Sequence, residues 1–461
     1  MGQTAPEKAE AGARARFRPA EVRLAEGAPG LAETARRLKE NPLSALPRSL
    51  LNETYQKSES MGAVVHRLSG PDEIAAVLRD DPDAWRKSPL ILRTLRPILG
   101  DAVFTAHGER WRSQRLRLQP AFMRKRIEAF APMMDACAKD AAGRLAAQAG
   151  GTADVEGVLN DAAFKVIEHA LFSEAREVER AQMRDALETL LSEIGVVRLV
   201  DLAPFPEWAP RPMSRAARRA RSVFRRCADA QIQRRRARED PGSDLLGLLL
   251  KGDGEARLCD TDVRDTLITL IAAGHETTAI ALTWSLYLLA NDAEAQDRAR
   301  AAARAAIAQD PDASPAPGAL GFIRQVLEEA MRLYPPAPAL GRRAVRDTTI
   351  AGRPVKRGER ALMVFYCLHR HETLWAAPAL FDPDRFAPER RPRDPFLHAP
   401  FGGGPRTCIG AQFALTEASL MLARILDAVA LSPVPGHEVE PLMQVTVRPR
   451  GGMPLRVEPA P

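Results

Sequence analysis

Apolar residues recur every three to four positions along most of the chain, which is the period of amphipathic helices. Two late regions, residues 344–366 and 441–457, instead alternate between apolar and polar positions. This alternation predicts a hairpin or small sheet in each region, the second with a turn at Gly451-Gly452. A loop is predicted over residues 311–320. The pattern therefore predicts a mainly α protein with small β sheets late in the chain.

The sequence shows no internal repeat and no shift in composition that would mark a boundary between domains. We expect residues 1–20 to form a flexible N-terminal tail and residues 21–461 to form a single domain. The polar N-terminus has no apolar signal segment, and no run of about 18 apolar residues predicts a transmembrane helix. We therefore expect a cytoplasmic protein without a transmembrane anchor.

The five cysteines are widely spaced, and no Cys-x-x-Cys pair occurs among them. This spacing predicts neither a disulfide framework nor a structural zinc site, which agrees with a reducing compartment.

The net charge is +7, but the arginines are spread along the chain without interleaved aromatic residues. This distribution favours an acidic partner, or no charged partner, over nucleic acid. Arginine is dense over residues 211–240. That region is either a solvated helix face or a surface for membrane lipid or an acidic protein, and the sequence leaves both interpretations open.

The stretch "FGGGPRTCIG", residues 401–410, immediately precedes a segment with helical period. A cysteine before a helix N-terminus is favoured as a thiolate, the form that ligates a soft metal. Glycines at 402, 403, 404 and 410 would let the backbone lie close to a flat macrocycle. Phe401 could pack beside the sulfur of Cys408, and Arg406 could reach a carboxylate of that macrocycle.

This stretch resembles the haem-binding signature of the cytochrome P450 superfamily, in its soluble bacterial form. The fixed positions of that signature correspond to Phe401, Gly404, Arg406, Cys408 and Gly410. The resemblance implies the P450 prism fold, mainly α with small β sheets. It also implies haem b (iron protoporphyrin IX), with Cys408 as the axial ligand of the iron.

A second resemblance to the family lies upstream, in "LEEAMRLYPP", where Glu329 and Arg332 share one helix face before Pro335-Pro336. The later segment "FDPDRF" supplies Arg385. In P450 enzymes such residues form a buried triad on the proximal side of the haem. The resemblance implies a structural role for the triad, not a catalytic one.

A third motif is "AAGHETT", a polar interruption in a long apolar helix. Burying such groups is costly unless they have partners, and a hydroxyl bonded back to the helix can widen one turn. The stretch resembles the distal-helix motif of P450 enzymes, with Ala273, Gly274, Glu276 and Thr277 on its positions. The resemblance implies that Glu276 and Thr277 deliver protons during O2 activation. His275 occupies the variable position, and we do not expect it to ligate a metal.

In "HGERWRSQR", Trp111 and Arg115 lie four residues apart and so share a helix face. The resemblance implies that both bind a haem propionate. By the same alignment Arg342 is a propionate ligand, although the neighbouring Arg343 is a rival. His107 is a further candidate on the helix face of Trp111.

The resemblance implies a haem-thiolate monooxygenase that inserts one oxygen atom from O2 into an organic substrate. Electrons from NAD(P)H would arrive through a separate ferredoxin or flavodoxin-type protein. An acidic partner of this kind could dock on the basic residues around the helix of Trp111. These residues are Arg110, Arg112, Arg117, Arg124, Lys125 and Arg126.

We expect the substrate pocket to be lined by mostly small or aliphatic residues, which favours an apolar substrate such as a fatty acid or terpenoid. The expected walls are residues 90–104, Ala272, Ala273, Thr277, residues 337–340 and residues 443–445. One alternative is a peroxide-driven or rearranging enzyme of the same fold. Another, from a different functional class, is a haem-thiolate sensor or carrier without turnover.

Overall fold

A computed structural model describes residues 16–27, 30–60, 63–173, 177–194, 213–251, 258–309 and 314–461 of the chain. Residues 1–15 of the expected tail lie outside the described residues. Residues 16–20, which we also expected in the tail, instead contact the folded domain. The Phe17 carbonyl accepts a hydrogen bond of 3.0 Å from Phe381 N, and Arg16 forms an ion pair of 2.6 Å with Asp382.

Helices dominate the described chain, as the sequence predicted. They are α1 (Leu31–Glu40), α2 (Pro71–Ala75), α3 (Pro89–Leu99), α4 (Gly108–Leu118), α5 (Arg124–Ala146), α6 (Val155–Leu171), α7 (Glu177–Ile194), α8 (Arg215–Arg236), α9 (Leu245–Leu250), α10 (Asp260–Ala290), α11 (Ala293–Ala308), α12 (Gly321–Leu333), α13 (Phe365–Leu368) and α14 (Ala411–Ala428).

The strands are short and form small sheets, which confirms the predicted fold class. They are β1 (Tyr55–Ser60), β2 (Ala63–Leu68), β3 (Trp85–Lys87), β4 (Gly151–Asp154), β5 (Leu340–Ala344), β6 (Thr348–Ile350), β7 (Arg353–Val355), β8 (Arg360–Met363), β9 (Val429–Pro433), β10 (Pro441–Met443), β11 (Val447–Pro449) and β12 (Pro454–Pro459). The largest sheet has the order β1-β2-β8-β5-β3, and a second has the order β4-β12-β9.

The two regions of alternating pattern form strands, but the second one does so differently from the prediction. In the first, β6 and β7 form a hairpin whose turn contains Ala351 and Gly352, both with positive φ. In the second, β10 pairs with β11, while β12 pairs with β4 and β9. Gly451-Gly452 therefore connects strands of two different sheets and does not form a hairpin turn.

The 31-residue helix α10 runs through the core and is buried on nearly every face in its second half. A helix that is apolar all round is expected in the interior of a protein. Its close approach to α6 depends on Gly274, because a Cβ there would lie only 3.2 Å from the Ile167 side chain. This packing fixes the part of α10 that carries the "GHETT" residues.

Helix α14 is held against α5 by a buried ion pair. Arg424 donates hydrogen bonds of 2.7 and 2.9 Å to the two carboxylate oxygens of Asp135. Such a bidentate pair is among the stronger polar contacts in proteins. It fixes the helix that follows the Cys408 stretch.

The last turn of the arginine-rich helix α8 is engaged within the chain. Arg234 pairs with Glu179 at 2.6 Å, Arg236 with Asp260 at 2.5 Å, and Arg235 with Asp244. These contacts favour an internal or solvated role for this turn, whereas a lipid or protein surface elsewhere in residues 213–240 stays a prediction. Residues 211–212 lie outside the described residues. No helix in the described ranges is long and apolar enough to cross a membrane.

Candidate active site

The Cys408 stretch folds into a tight loop that ends where α14 begins. Residues Gly404–Arg406 form one 3-10 turn. Cys408 N donates a hydrogen bond of 2.9 Å to the Phe401 carbonyl. Phe401 in turn packs against Ala281 of α10 and Leu415 of α14. The backbone bond and the packing of Phe401 therefore fix the loop that carries the thiol.

Cys408 is one of the exposed cysteines, although protein atoms crowd around its sulfur. This crowding raises the pKa of the free thiol, while the Gly410 N–H and the positive charge of Arg115 lower it. The thiolate that we expected from its place before a helix stays a prediction. Metal coordination deprotonates a thiol directly, so the ligand role does not require an acidic free thiol.

The glycines of this loop make room mainly for the protein itself, which corrects part of our interpretation. Gly404 has a φ of +66°, and a Cβ there would overlap the carbonyl oxygen of Leu78. A Cβ at Gly403 would overlap the ring of Phe396. At Gly410, in contrast, the nearest atom to a Cβ is a Phe122 ring carbon 3.9 Å away. Gly402 is similar, with a Leu340 side-chain carbon 4.0 Å from an added Cβ, so Gly402 and Gly410 are the glycines of this loop that leave open space.

Basic side chains converge on one side of the loop. Strand pairing places Lys87 of β3 directly opposite Arg342 of β5. Arg406 donates to the Ala106 carbonyl at 3.2 Å and stacks 4.2 Å from the centre of the Trp111 ring. His107 lies within the electrostatic range of Arg406 and Lys87. We call Lys87, His107, Arg342 and Arg406 the cationic cluster.

The cationic cluster is electrostatically strained in the protein alone. Burial, followed by repulsion from Arg406, lowers the pKa of Arg342 to about 10. Burial and several neighbouring cations lower the pKa of His107 to about 3, and burial with Arg342 and Arg406 lowers that of Lys87. Like charges placed opposite each other across strands are destabilising unless a counter-charge compensates them.

The donors of the cationic cluster fit a carboxylate-bearing group. Among the described residues no carboxylate forms an ion pair with Arg342 or Arg406. The guanidinium groups of Arg342 and Arg406 donate to the backbone carbonyls of Gly341 and Ala106. The Nε2 atom of His107 is buried without a hydrogen-bond partner. Buried charges normally have partners, and haem carries two propionates that would supply them. The residues present therefore fit haem.

The structure separates the candidates of the Trp111 helix. The Trp111 ring stacks on Arg406 of the cationic cluster, and the charge of Arg115 lowers the pKa of the Cys408 thiol. That Arg115 binds a propionate stays a prediction. Of the two rivals on β5, Arg342 is buried and Arg343 is exposed. The location of Arg342 beside Arg406 supports its assignment as the propionate ligand.

Glu276, Thr277 and Thr278 of α10 each have a hydrogen-bond partner, and the helix stays unbroken. Thr277 Oγ1 donates to the Ala273 carbonyl at 2.8 Å, and Thr278 Oγ1 donates to the Gly274 carbonyl at 3.1 Å. Glu276 accepts a hydrogen bond of 2.8 Å from Thr446 Oγ1. Ala273 is exposed, whereas Glu276 and Thr277 are half-buried.

His275 points away from any cluster that could hold a metal. Its ring packs edge-on against Phe164 with centroids 5.8 Å apart, and burial lowers its pKa to about 4. The described residues contain no group of three or more His, Cys, Asp and Glu side chains suited to an ion. The expectation that His275 is not a metal ligand stays a prediction that this environment supports.

Glu329, Arg332 and Arg385 lie together in the interior. Arg332 donates hydrogen bonds of 2.7 and 2.8 Å to Glu329, and both side chains are fully buried. Arg385 approaches the same carboxylate at 3.3 Å. Arg332 also donates to the carbonyls of His369 and Pro378, so the triad links α12 to the segment before the Cys408 loop.

Three residues at the site carried no signal in the sequence. Lys87 reaches the cationic cluster through strand pairing, and Thr446 and Arg448 reach Glu276 from the β10–β11 hairpin. The alternation over residues 441–457 predicted a hairpin, but a pattern of this kind does not say which helix the hairpin contacts.

Comparison with known proteins agrees with this geometry. A family model described as "Cytochrome P450" matches residues 57–455. The chain is 32% identical to cyclooctatin synthase of Streptomyces melanosporofaciens, over 79% of this chain and 80% of that protein. It is 28% identical to cytokinin hydroxylase of Arabidopsis thaliana, over 81% of this chain and 74% of that protein.

The fold is similar to that of a solved haem protein. The crystal structure of the cytochrome P450DA haem domain superimposes with a TM-score of 0.76 at 26% sequence identity. The match covers 88% of this chain and 90% of that chain.

Proposed function

The chain belongs to the cytochrome P450 family of haem-thiolate monooxygenases, and we propose that its Glu276–Thr277 pair activates O2 for insertion into an apolar substrate. The observation that carries the proposal is the pairing of a backbone-fixed cysteine thiol with the cationic cluster beside it. The cysteine can ligate iron, and the cluster can bind the two carboxylates of the same cofactor.

Each residue of the haem site has a distinct task in this proposal. Cys408 would ligate the haem iron, and Phe401 fixes the loop by packing against the cluster of Ala281, Met331 and Leu415. Arg342, Arg406 and His107 bind the propionates, and Trp111 buttresses Arg406 through their stacked contact. Bound haem supplies the iron centre at which O2 is reduced and from which one oxygen atom is transferred.

Proton delivery is assigned to the polar turn of α10. The Thr277 hydroxyl is bonded back to the Ala273 carbonyl at 2.8 Å, and it keeps two lone pairs with which it can hold a water molecule. The Glu276 carboxylate lies one residue away and can pass protons to that water. Gly274 permits the close packing on α6 that holds this turn in place.

An electron donor would dock on the surface around the start of α5. Arg110 and Arg112 are engaged with Asp101, Asp262, Asp83 and Glu109, and Arg124 pairs with Glu128 at 2.8 Å. Arg117 is half-buried, so we narrow the basic surface that we expected from the sequence to Lys125 and Arg126. Together with the exposed Leu116 and Met123, these two residues form what we call the basic-apolar patch. Apolar side chains next to exposed cations suit an acidic ferredoxin or flavodoxin that takes its electrons from NAD(P)H.

The substrate is proposed to be apolar, of the fatty-acid or terpenoid class. Among the described residues, large exposed hydrophobic side chains are few, and Leu90, Phe104 and Val445 all lie on the walls predicted from the sequence. Exposed apolar residues concentrated in one region indicate a binding site. We also place the enzyme in the cytoplasm, where soluble electron donors operate.

The proposed role of Thr277 is tested by Thr277→Ala in the holoenzyme, with NADPH, a surrogate ferredoxin and its reductase. Loss of the hydroxyl should divert electrons to hydrogen peroxide, raising the peroxide formed per NADPH by about tenfold or more. The matched control is Thr283→Ala. Thr283 makes the same hydrogen bond to its own helix, 2.8 Å to the Ala279 carbonyl, at a buried position further along α10.

A Thr277→Ala enzyme whose peroxide yield equals that of Thr283→Ala would contradict the proposal. That outcome would favour the peroxide-driven or rearranging alternative, in which no proton relay from Thr277 is needed.

A further inference from the structure

The acid of the polar turn is held by a residue far away in the sequence. Thr446 Oγ1 donates its hydrogen bond of 2.8 Å to Glu276 Oε1. Thr446 is only 3% exposed, so water competes little for its hydroxyl. A hydrogen bond to a charged carboxylate is worth more than one between neutral groups. Thr446 therefore fixes the direction in which the Glu276 side chain points.

The hairpin that carries Thr446 is itself anchored at both strands. Asn41 Nδ2 donates to the Pro441 carbonyl at 2.9 Å and Asn41 Oδ1 accepts from Met443 N at 3.2 Å. On the other strand, Trp284 Nε1 donates to the Val447 carbonyl at 2.7 Å. Because Trp284 belongs to α10, the helix and the hairpin hold Glu276 and Thr446 in register with each other.

The strand that follows Thr446 also carries a cation, Arg448, whose charge acts on Glu276. Arg448 donates hydrogen bonds of 2.8 and 3.3 Å to Glu156 Oε1. Burial lowers the pKa of Arg448, but the hydrogen bond and charge of Glu156 and the charge of Glu276 together raise it above the ordinary value. His275 is also within electrostatic range of Arg448. Arg448 thus contacts Glu156 of α6 and acts by its charge on Glu276 and His275 of α10.

Arg448 reaches the outside of the molecule. It lines an open cleft of about 360 Å³ together with Glu156, Gln444 and Arg450. Glu276 is itself half-buried. Glu156 and Arg448 therefore line the open cleft, and the charge of Arg448 acts on Glu276, which is bonded to Thr446.

We propose that Thr446 and Arg448 are positioning residues for Glu276, and that solvent protons reach Glu276 from the cleft beside Arg448. The inference rests on the proposed role of Glu276 in proton delivery. Each proton that the Glu276 carboxyl group gives up towards Thr277 leaves a carboxylate, which a proton from water in the cleft then neutralises. No electrons are exchanged in this step.

The inference is tested on holoenzymes carrying Thr446→Val, Thr446→Ser and Arg448→Gln. Arg450→Gln is the matched control, because Arg450 lines the same cleft but pairs with Glu440 at 2.7 Å. The first measurement is the infrared carboxyl band of Glu276 in the ferric holoenzyme, which Glu276→Gln identifies by removing it. The second is the solvent hydrogen-isotope ratio of NADPH consumption with a surrogate ferredoxin and reductase, without added organic substrate.

Thr446→Val should move the infrared band, because it removes a hydrogen bond to that carboxyl group, and should slow NADPH consumption about tenfold with a larger isotope ratio. Thr446→Ser should restore both properties, since it returns the hydroxyl. Arg448→Gln should shift the band and raise the isotope ratio, whereas Arg450→Gln should match the unaltered enzyme. Arg448→Gln also keeps the inference testable if the valine variant does not fold.

If Glu276→Gln slows NADPH consumption while Thr446→Val and Arg448→Gln behave like Arg450→Gln, the inference is overturned and the proposed function stands. If Glu276→Gln itself has no effect, the proposed role of Glu276 fails and the inference fails with it.

Discussion

At the scale of single residues, the cationic cluster is the feature that most needs a ligand. Arg342 is 7% exposed, and within the described residues its guanidinium group donates to the Gly341 carbonyl and to no carboxylate. Burying a charge without a counter-charge is costly, and guanidinium groups bind carboxylates through two parallel hydrogen bonds. Binding of a dianionic cofactor would remove this cost, so we expect haem to stabilise the protein.

Gly404 is the glycine of the Cys408 loop whose replacement should be most damaging. Gly404→Ala combines a left-handed backbone with an overlap on the Leu78 carbonyl, and should cost more than about 3 kcal/mol of folding free energy. Gly358→Ala is the control, because its φ is +95° but no atom lies within 4 Å of the added Cβ. Thermal unfolding of the two variants should differ clearly. Equal melting temperatures would show that the overlap relaxes at no cost.

The sequence predicted the site residues that belong to a continuous motif. It did not predict those that only the folded structure brings to the site. Cys408, Arg406 and Phe401 lie in one continuous stretch whose spacing carries the chemistry. Lys87 enters the cationic cluster only because β3 pairs with β5, and pairing between such short strands is not encoded locally.

At the scale of elements, the Glu329–Arg332 pair connects α12 to the segment that leads to the Cys408 loop. Arg332 donates to three backbone carbonyls of residues 369–380 in addition to Glu329. Glu329 accepts from Asp382 N at 2.9 Å. The pair satisfies backbone groups that no regular secondary structure satisfies, which supports the structural role that we expected.

Glu329→Gln should leave Arg332 as a buried, uncompensated charge and should cost about 3 kcal/mol or more. We expect a lower melting temperature and less haem retained after purification. The control is Arg324→Gln on the same helix, because Arg324 is 33% exposed and its pair with Glu328 at 3.2 Å should be worth less than about 1 kcal/mol. If the two variants unfold at the same temperature, the triad does not contribute this free energy of folding.

The elements themselves were largely predictable, because helical period and β alternation are local signals. The helices α10 and α14 and the β6–β7 hairpin follow from them directly. The β12 strand was also predicted, but its pairing was not, because it pairs with β4 and β9 and not with the strand before Gly451-Gly452. The same limit hid the contact between the β10–β11 hairpin and Glu276.

At the scale of the whole molecule, some of the positive side chains pair with carboxylates of the same chain and others stay exposed. Many arginines, such as Arg110, Arg234 and Arg424, pair with carboxylates of the same chain. The basic-apolar patch keeps Lys125 and Arg126 exposed beside Leu116 and Met123. The net charge alone did not predict where a partner would dock, because pairing within the fold decides which cations stay available.

Lys125→Glu combined with Arg126→Glu should slow reduction by an acidic ferredoxin about tenfold or more at low salt, and the deficit should shrink as salt is added. Spectral titration with a substrate should be unaffected. The matched control is Lys356→Glu with Arg357→Glu, an exposed Lys-Arg pair in the turn before β8. Equal reduction rates in the two double variants would place the docking surface elsewhere.

The central claim, that Cys408 ligates haem iron as a thiolate, is tested most directly by the difference spectrum of the reduced protein with carbon monoxide. We predict the absorption band from which the family takes its name in the unaltered protein, and in a Cys259→Ser control that removes an exposed cysteine elsewhere. Cys408→Ser should abolish that band. Its absence from the unaltered protein, or its survival in Cys408→Ser, would contradict the account.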